Sequence, residues 1–370
     1  MLKSMMVAAV LASFACFPVC VSASAIDSVM FENRTAGAAY TNALAKLDFP
    51  ARSGASNWYA MEQNGGANAS VVFDSLKKSN VLRLKYPAGC LGPNDNPLAC
   101  AGQIRQPLPQ TSDTMWVAYD LMFESGFDFI KGGKLPGLCG GKCYTGGNRP
   151  SVGDGWSARV MWRTGGAAVQ YLYFVDQAAT YGDDAKWDLG GTVAQKTFVP
   201  GKWHRLVTQV VLNSVSTEGA GDKNGKIRSW FDGSPALSLD TLRLRDYAAQ
   251  TIDAFYLSTF FGGSDSTWSP LVDSYVRFDD FVVSKDSIPV GEAVSAIPLS
   301  QASLVVGTYR WVPVLNGCLE LRSPLARVAM VRLYALDGSL LANAILPAGS
   351  SEYRFSVVQP FSFAVISEQF

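Results

Sequence analysis

Apolar and polar residues alternate along much of the chain between residues 80 and 285, which is the pattern of β-strands that bury one face. The alternation is clearest in five segments: 81–86, 115–123, 203–213, 226–233 and 275–284. Helical periodicity does not extend over ten or more residues anywhere. The Asn224-Gly225 pair just before the fourth segment is a tight-turn signal. Many closely spaced strands predict two packed antiparallel sheets, an all-β jelly-roll sandwich.

The candidate chemistry begins in a glycine-rich segment, residues 132–141, which we interpret as a loop that carries Lys134. The next segment, 155–162, alternates as a strand. Its period of two places Ser157 and Arg159 on one face, opposite a set of apolar residues. The sequence therefore predicts a polar, positively charged sheet face over this strand.

A second strand, 170–175, turns Tyr171 and Tyr173 to the same side. Six basic residues and one acidic residue, Asp154, lie between residues 131 and 173. A solvated positive loop would explain this excess, and so would a cleft for a polyanion. Lysine, serine, arginine and two phenols on one face indicate an acid–base set beside fixed positive charge, which suits an anionic substrate.

Residues 1–25 have the features of a cleaved secretory signal peptide. Lys3 precedes an apolar run over residues 5–21, and Ala-Ser-Ala at 23–25 is a small-residue cleavage site. No later segment is apolar for long enough to span a bilayer. We therefore expect a secreted protein, extracellular or periplasmic, with no membrane span.

The composition favours strands and excludes some partners. Hydrophobic residues make up 48% of the chain, aromatic residues 12%, and there are 34 glycines, which suits strands and turns better than long helices. There are 31 basic and 31 acidic residues, and removal of Lys3 with the signal leaves 30 against 31. This balance argues against binding to nucleic acid or to a membrane surface over the whole protein. We also expect the protein to be a monomer.

Four of the seven cysteines form two closely spaced pairs, Cys90 with Cys100 and Cys139 with Cys143. In an oxidising compartment both pairs are expected to form short disulfides, with free thiols as the alternative. The chain has no Cys-x-x-Cys pair, so the sequence gives no support for a zinc site. Cys318 has no evident partner, and its state is left open.

The character of the sequence changes after residue 286. Residues 287–300 contain two prolines and several small residues, and they read as a linker. Residues 301–370 contain further alternating segments, including a hairpin about Asp337-Gly338. We expect a jelly-roll domain over 26–286 and a small β-sandwich over 301–370, either an accessory or a sorting module.

Three motifs in this order resemble polysaccharide lyase family 14: the Gly132-Gly-Lys-Leu-Pro-Gly-Leu segment, Ser157-x-Arg159 and Tyr171-x-Tyr173. The likeness covers roughly residues 30 to 285. That family includes alginate and glucuronan lyases on a β-jelly-roll. The resemblance implies a lyase that acts on an anionic polysaccharide and needs no cofactor. It also implies that the catalytic residues are Lys134, Ser157, Arg159, Tyr171 and Tyr173.

The chemistry of β-elimination accounts for these residue types. A lyase removes the C5 proton of a 4-linked uronate and expels the oxygen at C4. Arg159 can neutralise the substrate carboxylate through two hydrogen bonds, with Lys134 as a second cation. We expect one phenol to act as the base, with its pKa lowered by the adjacent cation, and the other as the acid. Ser157 can hold either phenol by a hydrogen bond.

Several of these residues could instead have a purely structural role. Tyrosines on a sheet face usually pack with the hydroxyl at the edge. His204, the sole histidine, starts a strand and is expected to be structural. Asp279-Asp280 could hold a structural calcium ion, although no calcium motif supports one. The alternative to a lyase is a glycan-binding jelly-roll protein without catalysis.

Overall fold

The structure is a computed structural model that describes residues 25–53, 57–63, 66–92, 100 and 102–291, and the backbone of six strands between residues 309 and 368. Apart from Ala25, the predicted signal peptide lies outside the described residues, as do residues 292–300 of the predicted linker. Contacts divide the chain into two compact units, residues 1–297 and 298–370. The domain boundaries expected from the sequence remain a prediction.

The described part of the first unit consists mainly of strands. In chain order the elements are β1 (Ala25–Val29), α1 (Asn42–Asp48), β2 (Trp58–Ala60), β3 (Glu62–Gln63), β4 (Gly66–Ala67), β5 (Ala69–Asp74), β6 (Ser79–Tyr86), β7 (Gly102–Ser112), β8 (Thr114–Phe123), β9 (Gly132–Gly141), β10 (Gly155–Arg163), β11 (Ala168–Tyr173), β12 (Asp183–Lys186), β13 (His204–Val211), β14 (Gly225–Phe231), β15 (Ser234–Leu242), β16 (Ile252–Phe261) and β17 (Ser274–Ser284). Two 3₁₀ turns, Thr164–Gly166 and Ser266–Trp268, lie in loops.

Nearly all of these strands belong to two antiparallel sheets. One has the order β12-β11-β10-β9-β16-β7-β2. The other has the order β15-β14-β13-β8-β17-β6-β5, with β1 paired to β17. The five segments with the clearest alternation all become strands of the second sheet. The prediction of two antiparallel sheets is confirmed.

The hydrophobic core lies between the two sheets. Trp156, Ala158, Val160 and Trp162 of β10 all point into one large cluster of buried side chains that both sheets supply. The Trp162 ring centre lies 5.2 Å from that of Phe123 in the opposite sheet. Burial of a large apolar side chain contributes about 1.5–3 kcal/mol. This burial fixes the register of β10, so the alternate residues must face outward.

The glycine-rich segment is a central strand, β9, and its interpretation as a loop is wrong. β9 pairs with β10 on one side and β16 on the other. Its glycines are required by close neighbours: a Cβ on Gly133 would lie 2.1 Å from a ring atom of Trp162, and one on Gly137 would lie 2.1 Å from the Ala158 carbonyl oxygen. Glycine within a strand often marks such an approach.

The tight turn also lies at a different place from the one expected. Residues 212–224 form a long connection before β14, so Asn224-Gly225 does not join two paired strands directly. Asp232 and Gly233, which join β14 to β15, have φ angles of 48° and 75°. Two successive positive φ values are those of a type I′ hairpin turn, for which Asp-Gly is well suited.

Both expected disulfides are present. Cys90 and Cys100 have Cα atoms 5.4 Å apart, and those of Cys139 and Cys143 are 5.2 Å apart. Both distances are ordinary for a disulfide. The second bond joins the end of β9 to the loop that follows it, next to the outer face of the seven-stranded sheet.

The second unit is described by the backbone of six strands: β18 (Tyr309–Leu315), β19 (Cys318–Glu320), β20 (Ala329–Tyr334), β21 (Leu340–Leu346), β22 (Glu352–Arg354) and β23 (Phe361–Glu368). They form one antiparallel sheet in the order β21-β20-β23-β18-β19-β22. The pairing of β20 with β21 confirms the hairpin expected there. In the described residues of the whole chain, none of the helices has the length and apolar character to cross a membrane.

Candidate active site

A cavity of about 730 Å³ lies over the outer face of the seven-stranded sheet. Its walls come from six strands, β2, β7, β9, β10, β11 and β16, and from loops between strands. The lining residues are Trp58, Gly92, Gln103, Lys134, Thr145, Gly146, Asn148, Arg159, Arg163, Tyr171, Tyr173, Tyr181, Gly182, Tyr256, Phe260, Gly262, Gly263, Ser264 and Trp268. Four of the five residues predicted for the site, Lys134, Arg159, Tyr171 and Tyr173, therefore line one cavity.

Arg159 lies at the centre of this sheet face. In the register of β10 and β11 it stands opposite Tyr171, and its guanidinium carbon is 5.2 Å from the ring centre of Tyr256 across β9. Arg159 is buried, and its Nη1 donates a 3.2 Å hydrogen bond to Ser258 Oγ. Its Nε has no hydrogen-bond partner among the described residues. Part of its donor capacity is therefore available to a ligand.

Lys134 lies beside Arg159 without a compensating carboxylate. Its Nζ is 4.2 Å from the centre of the Tyr171 ring, and the side chain is buried. Arg163 has an ion-pair partner in Asp184, whereas neither Lys134 nor Arg159 has one in the described part of the chain. Burial lowers the pKa of the Lys134 amine well below its ordinary value, and the charges of Arg159 and Arg163 lower it further. Lys134 thus loses its proton more readily than an exposed lysine.

The two tyrosines pack edge to face, with ring centres 5.6 Å apart. The Tyr171 hydroxyl accepts a hydrogen bond from the Gly182 N–H at 3.1 Å, and that of Tyr173 accepts one from the Gly147 N–H at 2.9 Å. Each hydroxyl thus accepts from a backbone N–H, and the two phenols also share a side-chain hydrogen bond.

The pKa of Tyr171 shifts in the direction opposite to the one expected for a phenol that acts as the base. Burial raises the pKa of its hydroxyl above the ordinary value, the neighbouring Tyr173 raises it further, and Arg159 opposes the shift only in part. Desolvation disfavours the charged phenolate more than the adjacent cation favours it. Tyr171 is therefore better suited to donate a proton than to accept one.

Ser157 has a different partner from the one expected. It stands opposite Tyr173 in the register of β10 and β11, but its buried hydroxyl donates a 2.7 Å hydrogen bond to the backbone carbonyl of Tyr144. It is not among the residues that line the cavity. Its contact instead ties β10 to the loop that carries Thr145 and Gly146 over the site.

Several lining residues were not predicted from the sequence because they lie far along the chain from residues 132–173. Gln103 on β7 and Tyr256 on β16 face the cavity beside Arg159. The half-exposed rings of Trp58 and Trp268 lie at its margin. Isolated glutamine and aromatic residues in strands carry no signal of their own, so only the strand order brings them to the site.

The other candidate centres are explained by local structure. His204 is buried, its Nε2 accepts a hydrogen bond from the Val199 N–H at 3.0 Å, and its Nδ1 lies 2.8 Å from an Asp232 oxygen. Both ring nitrogens are engaged, which confirms a structural role.

The Asp279-Asp280 pair lies on the other sheet, next to the buried amine of Lys77. Lys77 Nζ lies 2.5 Å from Asp280 and from Asp120, and 3.5 Å from Asp279. No group of three or more potential metal ligands occurs among the residues that the structure describes. Lys77 therefore occupies the position where these carboxylates could have held a cation.

The profile of the family described as Polysaccharide lyase 14 matches residues 74–281, which is more than half of the chain. The chain belongs to polysaccharide lyase family 14. The resemblance expected from the three motifs is confirmed, and with it the assignment of this family 14 protein as a polysaccharide lyase. No curated protein sequence matches it.

Among the solved structures that share the fold of this chain are three alginate lyases. Alginate lyase Aly36B is 23% identical with a TM-score of 0.56, covering 70% of this chain and 96% of its own. The marine PL-14 alginate lyase from Aplysia kurodai is 24% identical with a TM-score of 0.55, and the match covers 70% of this chain and 99% of the Aplysia chain. Alginate lyase vAL-1 from Chlorella virus is 21% identical with a TM-score of 0.51, and the match covers 62% of this chain and 91% of the viral chain. These similarities confirm the predicted jelly-roll fold.

Proposed function

We propose that this family 14 lyase is a secreted enzyme that cleaves a 4-linked polyuronate, alginate or glucuronan, by β-elimination. The observation that carries the proposal is the buried guanidinium of Arg159, which lies beside the basic side chain of Lys134 in one cavity and has no acidic partner in the described part of the chain. Buried charges are normally paired. A substrate carboxylate would supply the missing partner.

Two further observations support the substrate class and the location. The similar lyase Aly36B has a structure in complex with an alginate tetrasaccharide, so alginate is the first candidate substrate. The disulfides Cys90–Cys100 and Cys139–Cys143 support secretion, because such bonds persist mainly in oxidising compartments.

We assign the proton transfers as follows. Arg159 binds the carboxylate of the sugar that loses its C5 proton and stabilises the negative charge that develops there. A base takes the C5 proton, the electron pair forms a C4–C5 double bond, and the C4–O bond breaks. An acid protonates the departing oxygen. The products are an unsaturated uronate and a new reducing end.

Lys134 is our candidate for the base and Tyr171 for the acid. The lowered pKa of Lys134 makes its neutral amine accessible, and the raised pKa of Tyr171 keeps the phenol protonated. A general base works best with a pKa close to the operating pH. A tyrosine base with Lys134 as a second cation, as the sequence suggested, is the competing assignment.

The test is incubation of the purified protein with alginate, glucuronan and a neutral glucan, followed by the ultraviolet absorbance of the unsaturated uronate. We expect absorbance to rise with at least one polyuronate and not with the neutral polymer. A carboxyl-reduced form of the cleaved polymer is the matched control and should be inert. Tight binding to polyuronates with no rise in absorbance would instead support a glycan-binding protein without catalysis.

A further inference from the structure

Ser258 on β16 joins two side chains of the cavity. Its hydroxyl oxygen accepts a hydrogen bond from Arg159 Nη1 and another from Gln103 Nε2, both at 3.2 Å. Gln103 lies on β7, directly opposite Ser258 in the register of the two strands. The three side chains form a row across β10, β16 and β7, and all three are buried.

Each end of this row has a polar atom without a partner. Arg159 Nε and Gln103 Oε1 are buried and form no hydrogen bond with any described residue. Both side chains line the cavity. Buried polar atoms in native proteins are nearly always satisfied, so two unsatisfied atoms joined through one serine indicate a ligand that contacts both.

The two atoms require opposite properties of that ligand. Arg159 Nε is a donor and needs an acceptor, which a carboxylate supplies. Gln103 Oε1 is an acceptor and needs a donor, and an ionised carboxylate has none. A sugar hydroxyl is a donor. A uronate carries a carboxylate and hydroxyls within one residue, and in a chain its neighbours carry more.

We propose that Gln103 is a specificity-determining residue that accepts a hydrogen bond from a secondary hydroxyl of the polyuronate, while Arg159 binds a carboxylate. This inference rests on the proposed function and adds the recognition of a neutral group to it. Ser258 positions both side chains. The site thus selects a sugar by the placement of one hydroxyl relative to one carboxylate, in addition to its charge.

A purely structural role for Gln103 has a different consequence. If Gln103 only held Ser258 and Arg159 in place, its replacement would weaken the reaction of every substrate to the same extent. If it contacts a hydroxyl, the loss depends on whether the substrate has that hydroxyl. A comparison of substrates within one variant therefore separates the two roles, and it is independent of the fraction of protein that folds.

The experiment uses short oligouronates that lack a single hydroxyl at C2 or C3, together with the intact oligomer. In the wild-type protein we expect removal of one of these hydroxyls to lower kcat/KM about tenfold, the effect of one hydrogen bond. In Gln103→Met, which keeps the length of the side chain and removes its polar atoms, the same deletion should change kcat/KM less than about threefold. Gln106→Met, a change on the same strand outside the cavity, should keep the wild-type ratio.

Equal losses in the wild type and in Gln103→Met for every deletion would overturn the inference. So would a wild type that is insensitive to all of them. If the wild type binds oligouronates but does not cleave them, the proposed function fails, and the same comparison is made with Kd. The inference about Gln103 is then decided separately by whether the hydroxyl deletions weaken binding only when Gln103 is present.

Discussion

The Nζ atom of Lys134 lies 4.2 Å from the centre of the Tyr171 ring. Cation–π attraction at this distance favours the ammonium form. Burial and the charges of Arg159 and Arg163 nevertheless lower the Lys134 pKa. Lys134 therefore packs against the phenol ring, and its neutral amine is still accessible. The proposed roles of Lys134 as proton acceptor and Tyr171 as proton donor require both properties.

Lys134→Arg separates a basic role from a purely electrostatic one. Arginine keeps a positive charge at the site but cannot give up its proton at ordinary pH. We expect kcat to fall at least about 100-fold, because a general base is lost, while the Kd for an oligouronate changes less than about tenfold. Steady-state kinetics and calorimetry measure the two quantities.

The matched control for this substitution is Lys142→Arg, an exposed lysine paired with Asp154, which should retain normal rates. If Lys134→Arg keeps near-normal kcat while Lys134→Met loses it, Lys134 serves as a cation, and a tyrosine must be the base.

The two tyrosines should respond differently to removal of the hydroxyl. Tyr171→Phe should lower kcat about 100- to 10,000-fold with little change in oligouronate binding, because it removes the proposed proton donor. Tyr173→Phe should cost about tenfold, the effect of one hydrogen bond, since its hydroxyl accepts from the Gly147 N–H. Rate and binding measurements on both variants check this order. The reverse order would make Tyr173 the proton donor.

The pH dependence of kcat/KM tests the same assignment without changing the substrate. With Lys134 as base, kcat/KM rises as pH increases through the lowered pKa of Lys134, below the ordinary lysine value of about 10.4. Tyr171 must stay protonated, and its pKa is raised, so the descending limb lies above about pH 10. Tyr171→Phe should keep the ascending limb. Tyr171 acting as the base would show instead as a rate that is still rising above pH 10.

Asp279 makes the folded protein less stable as the pH rises. Burial, reinforced by Asp280, raises its pKa to about 7, whereas the unfolded chain has the ordinary value of 3.8. Between these pH values the folded state binds more protons, so the contribution of Asp279 to the free energy of unfolding falls as pH increases. Asp279→Asn should therefore exceed the wild type by about 1–3 kcal/mol at pH 8 and lose this advantage below pH 4.

Urea unfolding at several pH values measures this difference. Asp240→Asn, an exposed carboxylate paired with Arg228 on the same sheet, is the control and should show no gain at pH 8. A constant difference between Asp279→Asn and the wild type from pH 4 to 8 would contradict the prediction.

The alternation of apolar and polar residues was sufficient to predict which side chains share a face of a strand. Because side chains in a strand alternate, Arg159 had to face away from Trp156 and Trp162, and Tyr171 had to share a face with Tyr173. Cysteine spacing likewise predicted both disulfides, since short separations in turn-rich segments allow the two Cα atoms to approach. The order of the three motifs was sufficient to identify the family.

Glycine-rich β9 could not be predicted, because its conformation depends on residues far along the chain. The segment has the composition of a loop, and it becomes a strand because β10 and β16 pair with it on both sides. The contribution of Gln103 and Ser258 has the same origin. Both are ordinary strand residues, and they reach the site only because β7 and β16 lie next to β9.

The residue types at the site, their faces and the charge of that region were determined by the sequence, since they follow from composition and from a period of two residues. The protonation of Lys134 and Tyr171 was decided by the tertiary structure alone. Burial lowers the pKa of Lys134 and raises that of Tyr171, and the second shift is opposite to the one expected for a phenol base. Burial is a property of the assembled sheet and its loops, and no local pattern encodes it.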